Sequence, residues 1–132
     1  MYQITAIIEK GSDGMYSIRS EQHFGKDFFG GFGNTVPEAK EDFMISVREA
    51  ADSARAEGFE IEDYTISFRY DMPSFFATFD FINASKFAQY AGINESKMRQ
   101  YKSGAAYPGE RTAKKILCAI HSIGTELSSV SL

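Results

Sequence analysis

The chain has 132 residues, 43% hydrophobic and 14% aromatic, enough apolar side chains to offset chain entropy and exclude an intrinsically disordered segment. Its single cysteine, Cys118, excludes an internal disulfide framework and fits a reducing compartment, and no apolar run approaches the ~20 residues that cross a bilayer. The net charge of -4 is split: residues 1–82 hold seven Lys and Arg against fifteen Asp and Glu, a net of -8, whereas residues 83–132 hold seven against three, a net of +4. An acidic half joined to a basic half predicts two modules with different partners, and only the basic one suits a polyanion. The opening "MYQITAIIEKGSDG" has no basic n-region and alternates like a strand, so no signal peptide is read there and a cytoplasmic protein is expected.

In "YQITAII", Tyr2, Ile4, Ala6 and Ile8 share one face, the period-2 pattern of a strand. "KGSDG" supplies turn residues, and "MYSIRSEQ" completes a hairpin. "KDFFGGFGN" is aromatic but broken by glycine, which predicts a short strand or a bulged edge. Thr35-Val36-Pro37-Glu38 has capping-box spacing, with Pro37 in the first turn, where a missing N–H costs nothing. Val36, Ala39, Phe43, Val47, Ala50 and Ala54 then form one helical stripe, which Gly58 closes. "YTISFRYDM" returns to alternation, with Tyr64, Ile66, Phe68, Tyr70 and Met72 on the apolar face. Residues 1–72 thus read as a small α+β module of order β-β-β-α-β, one helix on one face of a sheet.

Pro73 is expected to end the last strand. The connector 73–82 carries Phe75, Phe76, Phe79 and Phe81, too apolar for a solvated linker, and predicts a short helix buried between the modules. Residues 83–132 read as all-helical. "INASK" and "INESK" are a near-repeat eleven residues apart, each with an Asn placed to cap a helix. The first helix is expected to bury Ala84, Phe87, Ala88 and Ala91 before a turn at Gly92. The second, "NESKMRQYKSG", is expected to tuck in Ile93, Met98 and Tyr101 and to end at Gly104. A third helix carries a stripe of Ala113, Ile116, Leu117, Ile120, Ile123 and Leu127, with Cys118 packing beside it. Helix, glycine turn and short polar helix have helix-turn-helix spacing. Ser96, Arg99, Gln100 and Ser103 share the face opposite the buried one, and such side chains suit base edges in a major groove.

Segment 84–127, with Phe87-Ala88, Gly92-Ile93 and Gly104, resembles a Cro/repressor-type helix-turn-helix. The resemblance implies base contacts from Glu95, Ser96 and Gln100. Lys86, Lys97, Lys102 and Arg111 are the candidate phosphate contacts. The family usually has a full helix ahead of this pair, and here only "PSFFATF" stands there. Residues 1–72, by their strand order and "GFGNTVPEA", resemble a HicB-type antitoxin domain, a partial RNase H-like fold, although "HFGKDFFGGFG" lacks the proline stretch the family often has. Together the resemblances imply a sequence-specific regulator that binds a palindromic double-stranded operator as a homodimer or larger oligomer. They imply as well an antitoxin that neutralises a small HicA-type ribonuclease and represses its own operon.

Two alternatives stand beside this reading. One is an orphan regulator whose acidic module oligomerises or senses a ligand. The other is a degenerate RNase H-like enzyme. Two-metal hydrolysis needs several converging carboxylates, and the predicted strands offer only Glu9 and Asp71. "GGFG" before a helix has neither a GxGxxG pattern nor a following Lys-Ser/Thr, and His23 and His121 lack metal-ligand neighbours in the sequence. No enzymatic activity, metal or cofactor is therefore expected.

Overall fold

The computed structural model describes residues 1–132. Four strands come first, interrupted by one helix, and four helices follow: β1 (Tyr2–Lys10), β2 (Tyr16–Phe24), β3 (Asp27–Gly33), α1 (Val36–Ala56), β4 (Tyr64–Tyr70), α2 (Met72–Thr78), α3 (Ala84–Ala91), α4 (Glu95–Ser103) and α5 (Glu110–Ser128). The chain divides into two compact units, Met1–Ser74 and Phe75–Leu132.

In the first unit the sheet order is β3-β2-β1-β4. β1 pairs antiparallel with β2, β2 antiparallel with β3, and β1 parallel with β4. The parallel pair needs a crossover, and α1 supplies it. Ile4, Ala6 and Ile8 of β1 are buried against Ala39, Phe43, Val47 and Ala54 of α1, as alternation and helical spacing dictate. Thr35 Oγ1 accepts from the Glu38 N–H at 3.3 Å. The Glu38 carboxylate reaches one residue further back than a standard capping box and accepts from the Asn34 N–H at 2.9 Å.

β3 corrects the reading of the glycines in "GGFG". The strand is continuous, and the register shift lies in β2, between Arg19 and His23. Gln22 compensates there: its Oε1 accepts from the Thr5 N–H at 2.8 Å. The glycines instead let α1 come close. A Cβ on Gly31 would stand 2.6 Å from both the Ala39 carbonyl oxygen and the Phe43 nitrogen, closer than any side chain tolerates. Three α1 side chains then close the outer side of β3. Glu38 accepts from Asn34 N–H, Asp42 from Phe32 N–H at 2.9 Å, and Ser46 Oγ from Gly30 N–H at 3.1 Å.

Met72, expected as the last inward residue of the strand, is the first residue of α2, and β4 ends at Tyr70. The reason is a cap: Asp71 Oδ1 accepts from the Ser74 N–H at 2.7 Å, and Pro73 fits the first turn that results.

In the second unit Phe75 and Phe76 are buried, and each ring centroid lies 6.1 Å from that of Phe87 in α3. α5 departs from expectation. Ile116 and Ala119 are its buried residues and Ile120 and Ile123 are half-buried, whereas Ala113, Leu117 and Leu127 are exposed. Cys118, expected to pack, is exposed as well. Apolar residues occupy a broad arc of this helix, and the side facing α3 takes only part of it. No helix is long and apolar enough to cross a membrane.

Candidate nucleic-acid interface

Asn83 and Asn94 build the local geometry in the same way. Each stands one position ahead of a helix, and each side-chain oxygen accepts a backbone N–H three residues on, from Lys86 at 2.9 Å and from Lys97 at 3.1 Å. Between the helices Gly92 adopts φ 72° and ψ 36°, the left-handed region, and the Ile93 N–H returns to the Ala88 carbonyl at 2.9 Å. α3 is thereby stopped and α4 started within three residues. Met98 and Tyr101 are buried, which fixes the rotation of α4 about its axis.

That rotation leaves Ser96, Lys97, Arg99, Gln100, Lys102 and Ser103 exposed. Their engagement differs. Arg99 and Gln100 have side chains with no hydrogen-bond or ion-pair partner in the protein, so both are available to a ligand. Ser103 Oγ donates to the Gln100 carbonyl at 3.1 Å and accepts from the Ala105 N–H at 3.3 Å, so its hydroxyl closes the end of α4. Glu95 is half-buried, and its carboxylate accepts from Gln89 Nε2, tying α4 to α3. Lys102 Nζ lies 5.9 Å from the centre of the Phe76 ring, a cation–π distance that draws it toward the aromatic cluster.

The candidate cations divide between two shallow grooves. Arg99, Lys102 and Ser103 line one of them with Asn83, Ala84 and Ser85 from the start of α3. Arg111 lines another, with Lys114 and Lys115 of α5 and Tyr90 of α3, whose hydroxyl lies 2.9 Å from Ser122 Oγ. Lys86 and Lys97 are exposed and line neither groove. Asn83 and Ser85 were not foreseen as groove residues. Their signal was the cap itself, since a capped helix start brings its first turn to the surface beside whatever follows the glycine turn.

In the first unit the two strand acids, Glu9 and Asp71, are engaged in other contacts. Glu9 is paired with Arg19 Nε, and that contact, with the Glu9 charge, raises the Arg19 pKa above its ordinary value. Asp71 is used as a helix cap. No group of three His, Cys, Asp or Glu side chains converges to hold an ion. His23 Nδ1 lies 2.7 Å from the Gly25 carbonyl, a local turn contact. Compared with protein families, with characterised proteins and with solved structures, the chain matches none.

Proposed function

We propose that this protein is a sequence-specific binder of double-stranded DNA that acts as a transcription regulator through a helix-turn-helix formed by α3 and α4. The observation that carries the reading is the capped pair of helices joined by left-handed Gly92, with Arg99 and Gln100 exposed and unengaged on the second. Arg pairs well with guanine and Gln with adenine in the major groove, and Ser96 accepts or donates to either. Lys86, Lys97, Lys102 and Arg111 hold phosphates in this reading. Ser103 and Glu95 rank below Arg99 and Gln100 as base readers because their polar atoms already have partners.

The acidic unit supports a second role for the same chain. The order β3-β2-β1-β4 with one crossover helix agrees with a partial RNase H-like arrangement, and the "GFGNTVPEA" resemblance points to a HicB-type antitoxin. A unit with this excess of acid is repelled by DNA and attracts a basic protein such as a small ribonuclease.

Selection of an operator from random duplexes, followed by titration of variants, tests the DNA reading. Gln100→Ala should cost about 1–3 kcal/mol on the selected site and little on random DNA, whereas Lys97→Ala should weaken both equally and flatten the salt slope by about one unit. Equal losses on both duplexes for Gln100→Ala would remove α4 as the reader. Co-expression with the product of a neighbouring short gene, scored by growth and RNA cleavage, tests the antitoxin role. Failure there leaves the orphan regulator as the reading.

A further inference from the structure

The two edges of the sheet are treated differently. On β3 the outward N–H groups of Asn34, Phe32 and Gly30 are taken by Glu38, Asp42 and Ser46 of α1. On β4 nothing comparable occurs. The Tyr2 N–H donates to the Asp63 carbonyl at 2.9 Å, and the parallel register sets Tyr2 beside Tyr64, Ile4 beside Ile66 and Ala6 beside Phe68. In a parallel ladder this fixes which residues turn inward: Asp63, Thr65, Ser67 and Arg69 face β1, and Tyr64, Ile66 and Phe68 point their N–H and C=O groups away from the sheet. β4 is the last strand in the order, and no side chain or loop of the first unit bonds to those outward groups. A second observation concerns the same strand. α1 packs over β2 and β3, so Tyr64, Ile66 and Phe68, on the helix face, remain only half-buried. An open ladder beside half-covered apolar side chains is the kind of edge that natural sheets otherwise blunt.

We infer that β4 is a strand-pairing interface and that its occupant is β4 of a second copy, joined antiparallel about a two-fold axis at Ile66. The sequence of the strand selects this occupant and this register. With Ile66 opposite Ile66 of the second copy, Tyr64 meets Phe68 on the helix face. On the opposite face Thr65 meets Ser67 and Asp63 meets Arg69, so two attractive charge pairs flank the axis. Sliding the register by one step one way sets Asp63 against Asp71, and one step the other way sets Arg69 against Ile61. A two-fold interface must be self-complementary, and only the central register pairs opposite charges. The inference does not depend on what the protein binds, since it rests on the first unit alone.

The test uses the full chain in sedimentation equilibrium together with amide hydrogen exchange. Wild-type protein should self-associate, with the amides of Tyr64, Ile66 and Phe68 becoming protected as concentration rises. Arg69→Asp should weaken association about tenfold by turning two attractions into repulsions, and Asp63→Arg combined with Arg69→Asp should recover it. Ile66→Pro removes an outward N–H without touching the ladder to β1 and should give a folded chain with weakened association. A dimer indifferent to all of these variants uses another surface and overturns the inference. So does a wild-type chain whose Ile66 and Phe68 amides exchange freely at every concentration, including one that becomes protected only when a foreign strand is added.

Discussion

Asn94 shows how much one side chain can decide. Its oxygen satisfies an amide of α4 and, with Gly92 just before it, sets where the exposed polar face begins; a residue without that acceptor leaves the start of α4 to fray, typically at a cost of ~1 kcal/mol. Tyr70 carries a different consequence at the same scale. Burial raises its hydroxyl pKa above the ordinary 10.0, and the negative charge of Tyr16 adds to this. The folded chain therefore keeps the Tyr70 proton at a pH where the unfolded chain releases it. The stabilisation from that difference is complete below pH 10.0 and is lost as the pH rises through the raised folded value. Tyr70→Phe should accordingly lose less stability than wild type above pH 10.0, with the two parallel below it; urea unfolding across that range reads the difference. Identical alkaline limbs would show that Tyr70 ionises alike in both states.

At the scale of elements, the close approach of β3 to α1 is the most demanding contact in the first unit. Gly31→Ala places a methyl group against the backbone of Ala39 and Phe43, atoms that cannot rotate away, so a loss of about 1–3 kcal/mol is expected in denaturant titration. Wild-type stability in that variant would mean that α1 can shift outward. Periodicity in the sequence was sufficient for β1, α1 and the capped α3–α4 pair, because each has a strong local signal: alternation, a stripe, an Asn cap or a glycine stop. It was insufficient where a neighbour decides. Ala119 is buried and Leu117 exposed because α3 covers one side of a broad apolar arc on α5, and no local pattern ranks those two sides. Asp71 looked like the polar position of a strand, and its use as a cap moved Met72 into α2. The exposed face of α4 was legible as a set of residues. Which members were already engaged was not: Glu95 meets Gln89 only once α3 and α4 are packed, and a Ser at a helix end can turn its hydroxyl either to a local carbonyl, as Ser103 does, or to solvent.

For the whole molecule, the two halves of opposite charge set the expectations. In the DNA-binding reading proposed above, one copy of segment 83–132, with a net of +4, offers too few cations and too few unengaged polar side chains on α4 for tight binding. Two copies on a palindrome are therefore expected, with half-site centres about 10 bp apart or a multiple of that. Inserting about 5 bp between half-sites turns one of them to the far side of the duplex and should lose most of the affinity, while about 10 bp should restore a large part. Band-shift titrations with the three spacings decide it. Affinity that ignores spacing would mean that each chain binds alone.

The three contacts along β3 form a vernier. Each step takes four residues of helix and two of strand, about 6.0 Å against about 6.8 Å, so the two scales slip by about 0.8 Å per rung. The acceptors shorten along the series from Glu38 to Asp42 to Ser46 while the contacts stay near 3 Å. The next tooth would be Ala50, which is buried and has no acceptor to offer. Its strand partner would be Phe28, so the guard ends at Gly30 and leaves the first residues of β3 outside the span that this helix seals.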